Sequence, residues 1–183
     1  YVSPPALSSV RKVFGMSLTA SAGSVQLASN EVHCWCASLD VPPETSARLY
    51  ATLTPDERDR SSRFRFERLQ RRFIVAHGVL RDVLRRYLQT SPGDITFAYN
   101  AFGKPDLSPE FASRITFNLS HSGDLALIAI AADSCVGVDL EHIRRSPLDQ
   151  LHVIGHAMLG KRGTEHGAGV RIGNRCDEHQ FGA

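Results

Sequence analysis

Residues 117–141 of the chain, FNLSHSGDLALIAIAADSCVGVDLE, decide how the fold is interpreted. Residues 125–131 form a short, almost wholly apolar run, and residues 135–141 form a second run after a tight turn. Runs of this length and composition predict two strands joined by that turn. Because alternate residues of a strand point to opposite faces, Asp139 and Glu141 share one face. The stretch therefore predicts a sheet that carries two carboxylates on one side.

The two carboxylates suggest a metal site. Carboxylate oxygens suit Mg²⁺, which keeps several waters and is often completed by the phosphates of a substrate. Gly137 lies on the same strand face and leaves space beside the acids. The opposite face carries the apolar residues of the strand, Val136, Val138 and Leu140. The alternative is a solvated strand face that holds two acids, and the pair alone favours this alternative by about two to one.

Ahead of the two apolar runs, the sequence passes through Asn118, Ser120 and His121 into a turn of small residues. A hydroxyl, an imidazole and backbone N–H groups at a strand end can bind a phosphate. An ordinary polar turn is an equally good interpretation. A serine nucleophile activated by histidine has less support, because Ser120 and His121 are neighbours on a predicted strand and point to opposite sides.

The sequence upstream predicts helices. Thr54, Pro55 and Glu57 have the spacing of a helix N-terminus, with Thr54 as N-cap and Glu57 completing a capping box. After a break near residues 64–67, apolar residues recur every three or four positions over residues 73–88. This spacing predicts a second helix with one buried face.

Further strands are predicted at residues 32–39, 95–99 and 115–119, where aromatic and β-branched residues are enriched or alternate with polar ones. The second of these strands leads into a turn that contains Lys104, one of only three lysines. In such a turn the ammonium group can meet an anion as a point charge. Helices followed by several strands predict an α+β fold.

Composition and charge exclude several classes of protein. No apolar run approaches the roughly 18 residues of a membrane-spanning helix. Residues 10–18 lack the continuous apolar stretch that is typical of a secretory signal, so we expect a cytoplasmic protein. The formal net charge of +2 gives no strong overall attraction to nucleic acid or membranes. Ten arginines make residues 58–86 basic. The aromatic residues there, Phe64, Phe66 and Phe73, have the pattern of core residues and not of a base-stacking surface.

The two ends of the chain differ in composition from its centre. Residues 1–30 are rich in Ser, Ala and Gly, and we expect a disordered extension. Residues 144–183 hold seven of the 14 glycines and four of the eight histidines, which predicts a weakly ordered tail. The histidines and the four cysteines match no standard zinc spacing, so neither predicts a metal centre.

Four motifs stand out along the chain: LTPDERDRSSRFRF at residues 53–66, FGKP at 102–105, FNLSHS at 117–122 and VGVDLE at 136–141. Their order and separations resemble the 4′-phosphopantetheinyl transferases, specifically the Sfp-type enzymes. The resemblance implies an α+β fold of two similar lobes with coenzyme A and Mg²⁺ in the cleft between them. It also implies transfer of the 4′-phosphopantetheine arm of coenzyme A to a serine of an apo acyl or peptidyl carrier protein.

The resemblance implies roles for individual residues as well. Asp139 and Glu141 match the acidic pair that holds the metal and serves catalysis. The positions that match the surroundings of coenzyme A are Arg60, Arg72, Lys104, Asn118, Ser120 and His121. The implied partners are coenzyme A and a carrier protein, with neither nucleic acid nor a membrane, and the complete protein is expected to be a monomer. An arginine-rich nucleic-acid binder ranks last.

After Glu141 the chain departs from the family pattern. Family members carry a third motif, a helix similar to Trp/Phe-x-x-Lys-Glu-Ala whose glutamate completes the metal site, and this sequence holds no such segment. The resemblance therefore implies a complete first lobe over residues 31–112 and only the opening strands of the second over residues 113–143, as in a truncated chain. The alternative function is a non-catalytic fragment that at most binds coenzyme A or a carrier protein.

Overall fold

The computed structural model of the protein describes residues 10–15, 24–29, 31–100, 104–143, 152–160 and 168–172. Within these residues the chain forms three α-helices and nine β-strands. The helices are α1 (Pro43–Ala51), α2 (Pro55–Ser62) and α3 (Glu67–Leu88). The strands are β1 (Val10–Gly15), β2 (Val32–Ser38), β3 (Phe97–Tyr99), β4 (Pro105–Leu107), β5 (Ile115–Ser122), β6 (Leu125–Ala132), β7 (Cys135–Ile143), β8 (His152–Gly160) and β9 (Ala168–Ile172). Helices and largely antiparallel sheets confirm the predicted α+β class.

A four-stranded sheet in the order β1-β2-β6-β5 positions the other elements. Strand β6 pairs antiparallel with both β2 and β5, while β1 runs parallel to β2. The β5–β6 hairpin turns through Gly123, whose φ of +60° favours glycine, and Asp124. Because β2 belongs to residues 31–112 and β6 to residues 113–143, one sheet joins the two expected segments. The lobe division itself stays a prediction.

Helix α3 packs against one face of this sheet and forms the larger hydrophobic core. Its buried stripe includes Val79, Leu80, Val83 and Leu84, which share a cluster with Ile128 of β6. Each such side chain stabilises the fold by about 1.5–3 kcal/mol when it is fully buried. The periodic spacing read from the sequence therefore predicts both the helix and the face that it buries.

Strand β7 covers part of the opposite sheet face. Val136, Val138 and Leu140 are buried against apolar side chains of β2 and β6, whereas Asp139 between them is exposed. Cys34 lies in the same cluster, and burial raises the pKa of its thiol to about 11. The predicted alternation of apolar and acidic residues along β7 is confirmed for these positions.

Local signals place the N-terminus of α2 where it was predicted. The Thr54 hydroxyl accepts a hydrogen bond from the Glu57 N–H (3.4 Å), and the Glu57 carboxylate accepts one from the Thr54 N–H (3.0 Å). This reciprocal pair is the capping box. Helix α1 is absent from the sequence-based prediction, because Pro42 and Pro43 indicate only the end of β2. Pro43 instead occupies the first helical position, where an N–H would have no partner in the helix.

The carboxylate of Glu57 also joins α2 to α3 in the protein interior. Arg81 is completely buried, and its Nε donates to Glu57 Oε2 (3.0 Å). Arg81 Nη1 donates to the carbonyl oxygens of Pro92 (2.9 Å) and Ile95 (2.6 Å). His77 Nδ1 lies 3.0 Å from Glu57 Oε1. Burial raises the pKa of Glu57, but the hydrogen bond with His77 and the charge of Arg81 outweigh it and lower the pKa to about 2.

Two phenylalanines at the α2–α3 junction are more exposed than predicted. Phe73 is buried, as expected, but Phe64 is 36% exposed and Phe66 is 61% exposed. The interpretation of Phe64 and Phe66 as core residues is wrong. Phe66 is the N-cap residue of α3 with extended backbone (φ −108°), so it precedes the helix and its buried stripe.

Parts of both terminal segments belong to sheets. Strand β1 pairs with β2, and Leu27 is buried in the core beside α3, so these parts of residues 1–30 contact the fold. Strands β8 and β9 extend from β7 as a three-stranded antiparallel sheet, although the composition of residues 144–183 predicts weak order. His156 lies opposite Asp139 in this register. The other residues of the discounted histidine–cysteine group, apart from His152 on β8, lie outside the described residues: His166, Cys176 and His179.

Candidate active site

Strand β5 uses two of its predicted site residues to hold β7. Asn118 Oδ1 accepts a hydrogen bond from the Val138 N–H (2.9 Å), and Ser120 Oγ accepts one from the Leu140 N–H (3.1 Å). Residues two apart share a face of a strand. Asn118 and Ser120 therefore lie opposite the N–H groups of Val138 and Leu140, which are also two residues apart. Asn118 and Ser120 therefore position the strand that carries the acidic pair.

Asp139 lies directly beside Ser120. The Ser120 hydroxyl donates to Asp139 Oδ1 over 3.4 Å, and the Leu140 N–H donates to the same oxygen over 3.0 Å. The carboxylate is exposed and accessible to solvent. Glu141 follows two residues later on β7. Its side chain lies outside the described residues.

The chemistry of this donor set suits a hard divalent cation. An exposed carboxylate with a second carboxylate two residues along the strand offers the oxygen ligands that Mg²⁺ prefers. In the part of the chain that the structure describes, no three His, Cys, Asp or Glu side chains converge on one point. An ion of this kind takes few protein ligands and keeps several waters, which two carboxylates on one strand would suit.

His121 lies on the other side of β5, toward α3. Partial desolvation lowers the pKa of His121, and electrostatic interactions with His77 and Arg72 act in the same direction. Arg68 and Arg72 both donate to Asp124 at the tip of the β5–β6 hairpin. We call Arg68, Arg72, His77 and His121 the basic cluster. The two guanidinium charges, with the imidazoles beside them, make this side of β5 suited to an anion.

Arg60 lies at the edge of the basic cluster. Its guanidinium carbon is 5.5 Å from the ring centroid of Phe73, and Phe73 stacks on His77 with ring centroids 4.0 Å apart. A cation–π contact of this kind contributes about 0.5–1 kcal/mol at an exposed site and leaves the guanidinium N–H groups available. Arg60 is exposed, so it can reach an anion that also contacts the basic cluster.

Lys104 lies apart from both groups, at a cleft beside the β3–β4 ribbon. The Lys104 N–H donates to Asn100 Oδ1 (2.9 Å), and the Asn100 N–H donates to the Lys104 carbonyl (3.1 Å). These bonds join Asn100 to Lys104, and residues 101–103 between them lie outside the described residues. The cleft has a volume of about 250 Å³ and is lined by Asn100, Lys104, Pro105, Asp106, Thr116, Phe117, Cys135 and Val136.

Strand β5 thus separates the predicted site residues into an acidic side with Asp139 and a basic side with His121, with Lys104 at a neighbouring cleft. No sequence pattern singles out Arg68, His77 or Asp124 as a member of the site. Arg68 is one of many arginines in its segment, so composition does not single it out. Asp124 meets Arg72 across 52 residues, and no local sequence signal reports such a contact.

Comparison with known proteins decides the family. Residues 42–134, just over half of the chain, match the family described as 4′-phosphopantetheinyl transferase, N-terminal. The chain belongs to the 4′-phosphopantetheinyl transferase family. Over 122 residues it is 44% identical to the 4′-phosphopantetheinyl transferase HetI of Nostoc, in an alignment that covers 66% of this chain and 52% of HetI.

More distant transferases show the same relationship. A putative 4′-phosphopantetheinyl transferase of Synechocystis is 32% identical over 97 residues, which are 53% of this chain and 39% of that relative. The 4′-phosphopantetheinyl transferase Sfp of Bacillus subtilis is 27% identical over 106 residues, which are 58% of this chain and 46% of Sfp. The chain thus spans about half or less of the length of these relatives. The family resemblance predicted from the four motifs is confirmed.

No helix among the described residues is long and apolar enough to cross a membrane.

Proposed function

We propose that the protein transfers the 4′-phosphopantetheine arm of coenzyme A to a serine of an apo acyl or peptidyl carrier protein, with Mg²⁺, in the cytoplasm. One observation carries the proposal: β5 contacts the exposed Asp139 through Ser120 on one side and carries His121, near Arg72 of α3, on the other. Phosphoryl transfer from a pyrophosphate is favoured by a metal ion on the two linked phosphates. Cationic side chains can bind the remaining phosphate of the substrate. Family membership supports the same reaction.

The proposed chemistry is a phosphoryl transfer. The carrier-protein serine oxygen forms a bond to the β-phosphorus of coenzyme A, the bond from that phosphorus to the bridging oxygen breaks, and adenosine 3′,5′-bisphosphate leaves. The proton of the serine hydroxyl is released to water. Such reactions depend chiefly on positioning and charge neutralisation. Mg²⁺, when bound, neutralises the pyrophosphate.

The residues divide this work between them. Asp139 and Glu141 would hold the metal, and Ser120 orients Asp139 through their hydrogen bond. The groups proposed to hold the nucleotide end of coenzyme A are Arg60, Arg72, Lys104 and His121. Asn118 holds β7 in place through Val138, so its role is to position the acidic strand.

The direct test is the intact mass of an apo carrier protein after incubation with the purified chain, coenzyme A and Mg²⁺. We expect a mass gain of one phosphopantetheinyl group that EDTA prevents. If a folded chain binds coenzyme A but gives no gain, the alternative of a non-catalytic binder is favoured. Steeply salt-dependent binding to DNA or RNA without transfer would instead favour a nucleic-acid binder.

The metal assignment has its own test. Asp139→Asn keeps a side-chain oxygen for the Leu140 N–H but removes the charge that the metal requires. We expect loss of Mg²⁺-dependent transfer, measured by the same mass assay. Asp94→Asn is the matched control, because Asp94 is an exposed acid in the short 3₁₀ turn after α3. Unchanged turnover in Asp139→Asn would contradict the assignment.

A further inference from the structure

Asp124 is an acidic residue that contacts the two arginines of the basic cluster. Its Oδ1 accepts hydrogen bonds from Nη2 of Arg68 (3.2 Å) and from Nη2 of Arg72. The two arginines are four residues apart on α3, so they lie on the same helix face. One carboxylate oxygen thus occupies a position where two guanidinium groups converge. Two guanidinium groups in this arrangement can also bind a phosphate.

The Asp124 side chain is free to leave this position without moving the backbone. The side chain is 54% exposed, while the carbonyl oxygen of Asp124 is fixed by the Leu39 N–H at 2.7 Å. Gly123 completes the two-residue turn with its positive φ. Exposed carboxylate–arginine pairs contribute at most about 1 kcal/mol. A doubly charged phosphate monoester offers more charge and three oxygens to the same donors.

The surroundings favour such an exchange. Of the two arginines, Arg72 lies nearer the protein interior. Its side chain is 20% exposed, whereas that of Arg68 is 66% exposed. His77 and His121 add imidazoles on the same side of β5. When the carboxylate leaves, the two arginines need another anion, and an incoming phosphate supplies it.

We propose that Asp124 is an internal counter-ion that occupies the Arg68–Arg72 anion site in the free protein and is displaced by a phosphate monoester of the ligand. The inference rests on the proposed function, in which Arg72 binds a phosphate of coenzyme A, and it adds Arg68 to that site. Asp124 then lowers the affinity of the site by competing for it. An intramolecular carboxylate of this kind also keeps weaker anions off the arginines.

The experiment is calorimetric titration of the full chain with adenosine 3′,5′-bisphosphate and, separately, with inorganic pyrophosphate. Asp124→Asn removes the competing charge and keeps the shape of the side chain. We expect the Asp124→Asn protein to bind both probes about two- to fivefold more tightly than the wild type. This range corresponds to the free energy of one exposed ion pair, which the ligand no longer has to break. Asp59→Asn is the matched control, because Asp59 forms an exposed pair with Arg63 elsewhere on the basic segment and should leave affinity unchanged.

A second variant ties the effect to the arginines. In an Arg72→Gln background, Asp124→Asn should no longer tighten binding, because the competition requires the guanidinium group. Equal or weaker binding by Asp124→Asn in the wild-type background would overturn the inference and show that Asp124 orients Arg72 instead. That result leaves the proposed function intact. If Arg72→Gln binds both probes as well as the wild type does, the phosphate role of Arg72 fails, and the inference fails with it.

Discussion

Two of the contacts that helix α3 makes between arginine and carboxylate differ in burial and in the partners that support them. Inside the protein, Arg81 and Glu57 are nearly inaccessible to water, with 0% and 2% of their side chains exposed. At the surface, Arg72 meets Asp124, which is 54% exposed. The buried pair is held by a capping box and two backbone carbonyls. The surface pair has only Arg68 as an additional partner among the described residues.

The difference shows how one helix can serve both stability and binding. A buried charge without its partner is costly, so Glu57 and Arg81 depend on each other and fix α2 against α3. An exposed pair is weak and exchanges readily with an external anion. The roles of the arginines of α3 therefore differ with the solvent exposure of their side chains. Interior arginines hold the fold, and surface arginines are available to a ligand.

Breaking the buried pair should give the largest effect. Glu57→Gln keeps a side chain compatible with the capping box but leaves Arg81 as an uncompensated buried charge. We expect the free energy of unfolding to fall by about 3–5 kcal/mol. Urea denaturation followed by circular dichroism measures it. A loss below about 1 kcal/mol would show that the buried pair contributes no more to the free energy of unfolding than an exposed pair does.

The pH dependence of stability should come next. The pKa of Glu57 falls from its ordinary value of 4.5 to about 2 on folding, so its contribution is fully present above pH 4.5. It is lost as pH falls from 4.5 toward 2, because the unfolded chain then takes up a proton first. We expect the wild type to lose about 3 kcal/mol through this group. In Glu57→Gln, the decrease in the free energy of unfolding that comes from this carboxyl group should be absent. Urea denaturation at several pH values between 6 and about 2 measures it.

Breaking the surface pair should change stability little. Asp124→Asn removes an exposed carboxylate, and we expect a loss of at most about 1 kcal/mol in the same denaturation experiment. The hydrogen bonds from Arg72 and Arg68 lower the pKa of Asp124, but the group remains in contact with water. A loss as large as that of Glu57→Gln would mean that Asp124 holds the hairpin to α3, which would also contradict its role as a displaceable group.

Salt should produce the smallest and most selective effect. Exposed charges are largely screened at 1 M salt, where the Debye length is about 3 Å, while buried pairs are screened much less. The stability difference between Asp124→Asn and the wild type should therefore vanish at high salt. The difference for Glu57→Gln should persist. Equal salt sensitivity in the two variants would indicate that water reaches Glu57.

Local sequence signals predicted much of the fold. The capping residues placed the start of α2, and the periodic spacing placed α3, because both depend on neighbours within one or two turns. The sequence did not predict β8 and β9, because a glycine-rich segment has no strong strand preference of its own and pairing depends on β7. Phe66 was assigned to the core because an apolar residue beside an amphipathic helix resembles a core residue, although it precedes the buried stripe.

In the candidate site, too, some relations between residues follow from the local sequence and others only from the folded structure. Alternation along one strand separates Ser120 from His121, so the sequence by itself determined this relation, and it predicts one shared face for Asp139 and Glu141. Only the tertiary structure decided that Ser120 meets Asp139 and that Arg72 meets Asp124. The reason is physical. Strand and helix periods are fixed by local backbone geometry, whereas contacts between distant residues depend on which apolar faces pack together, and that packing brings β5 and its hairpin against α3 and β7.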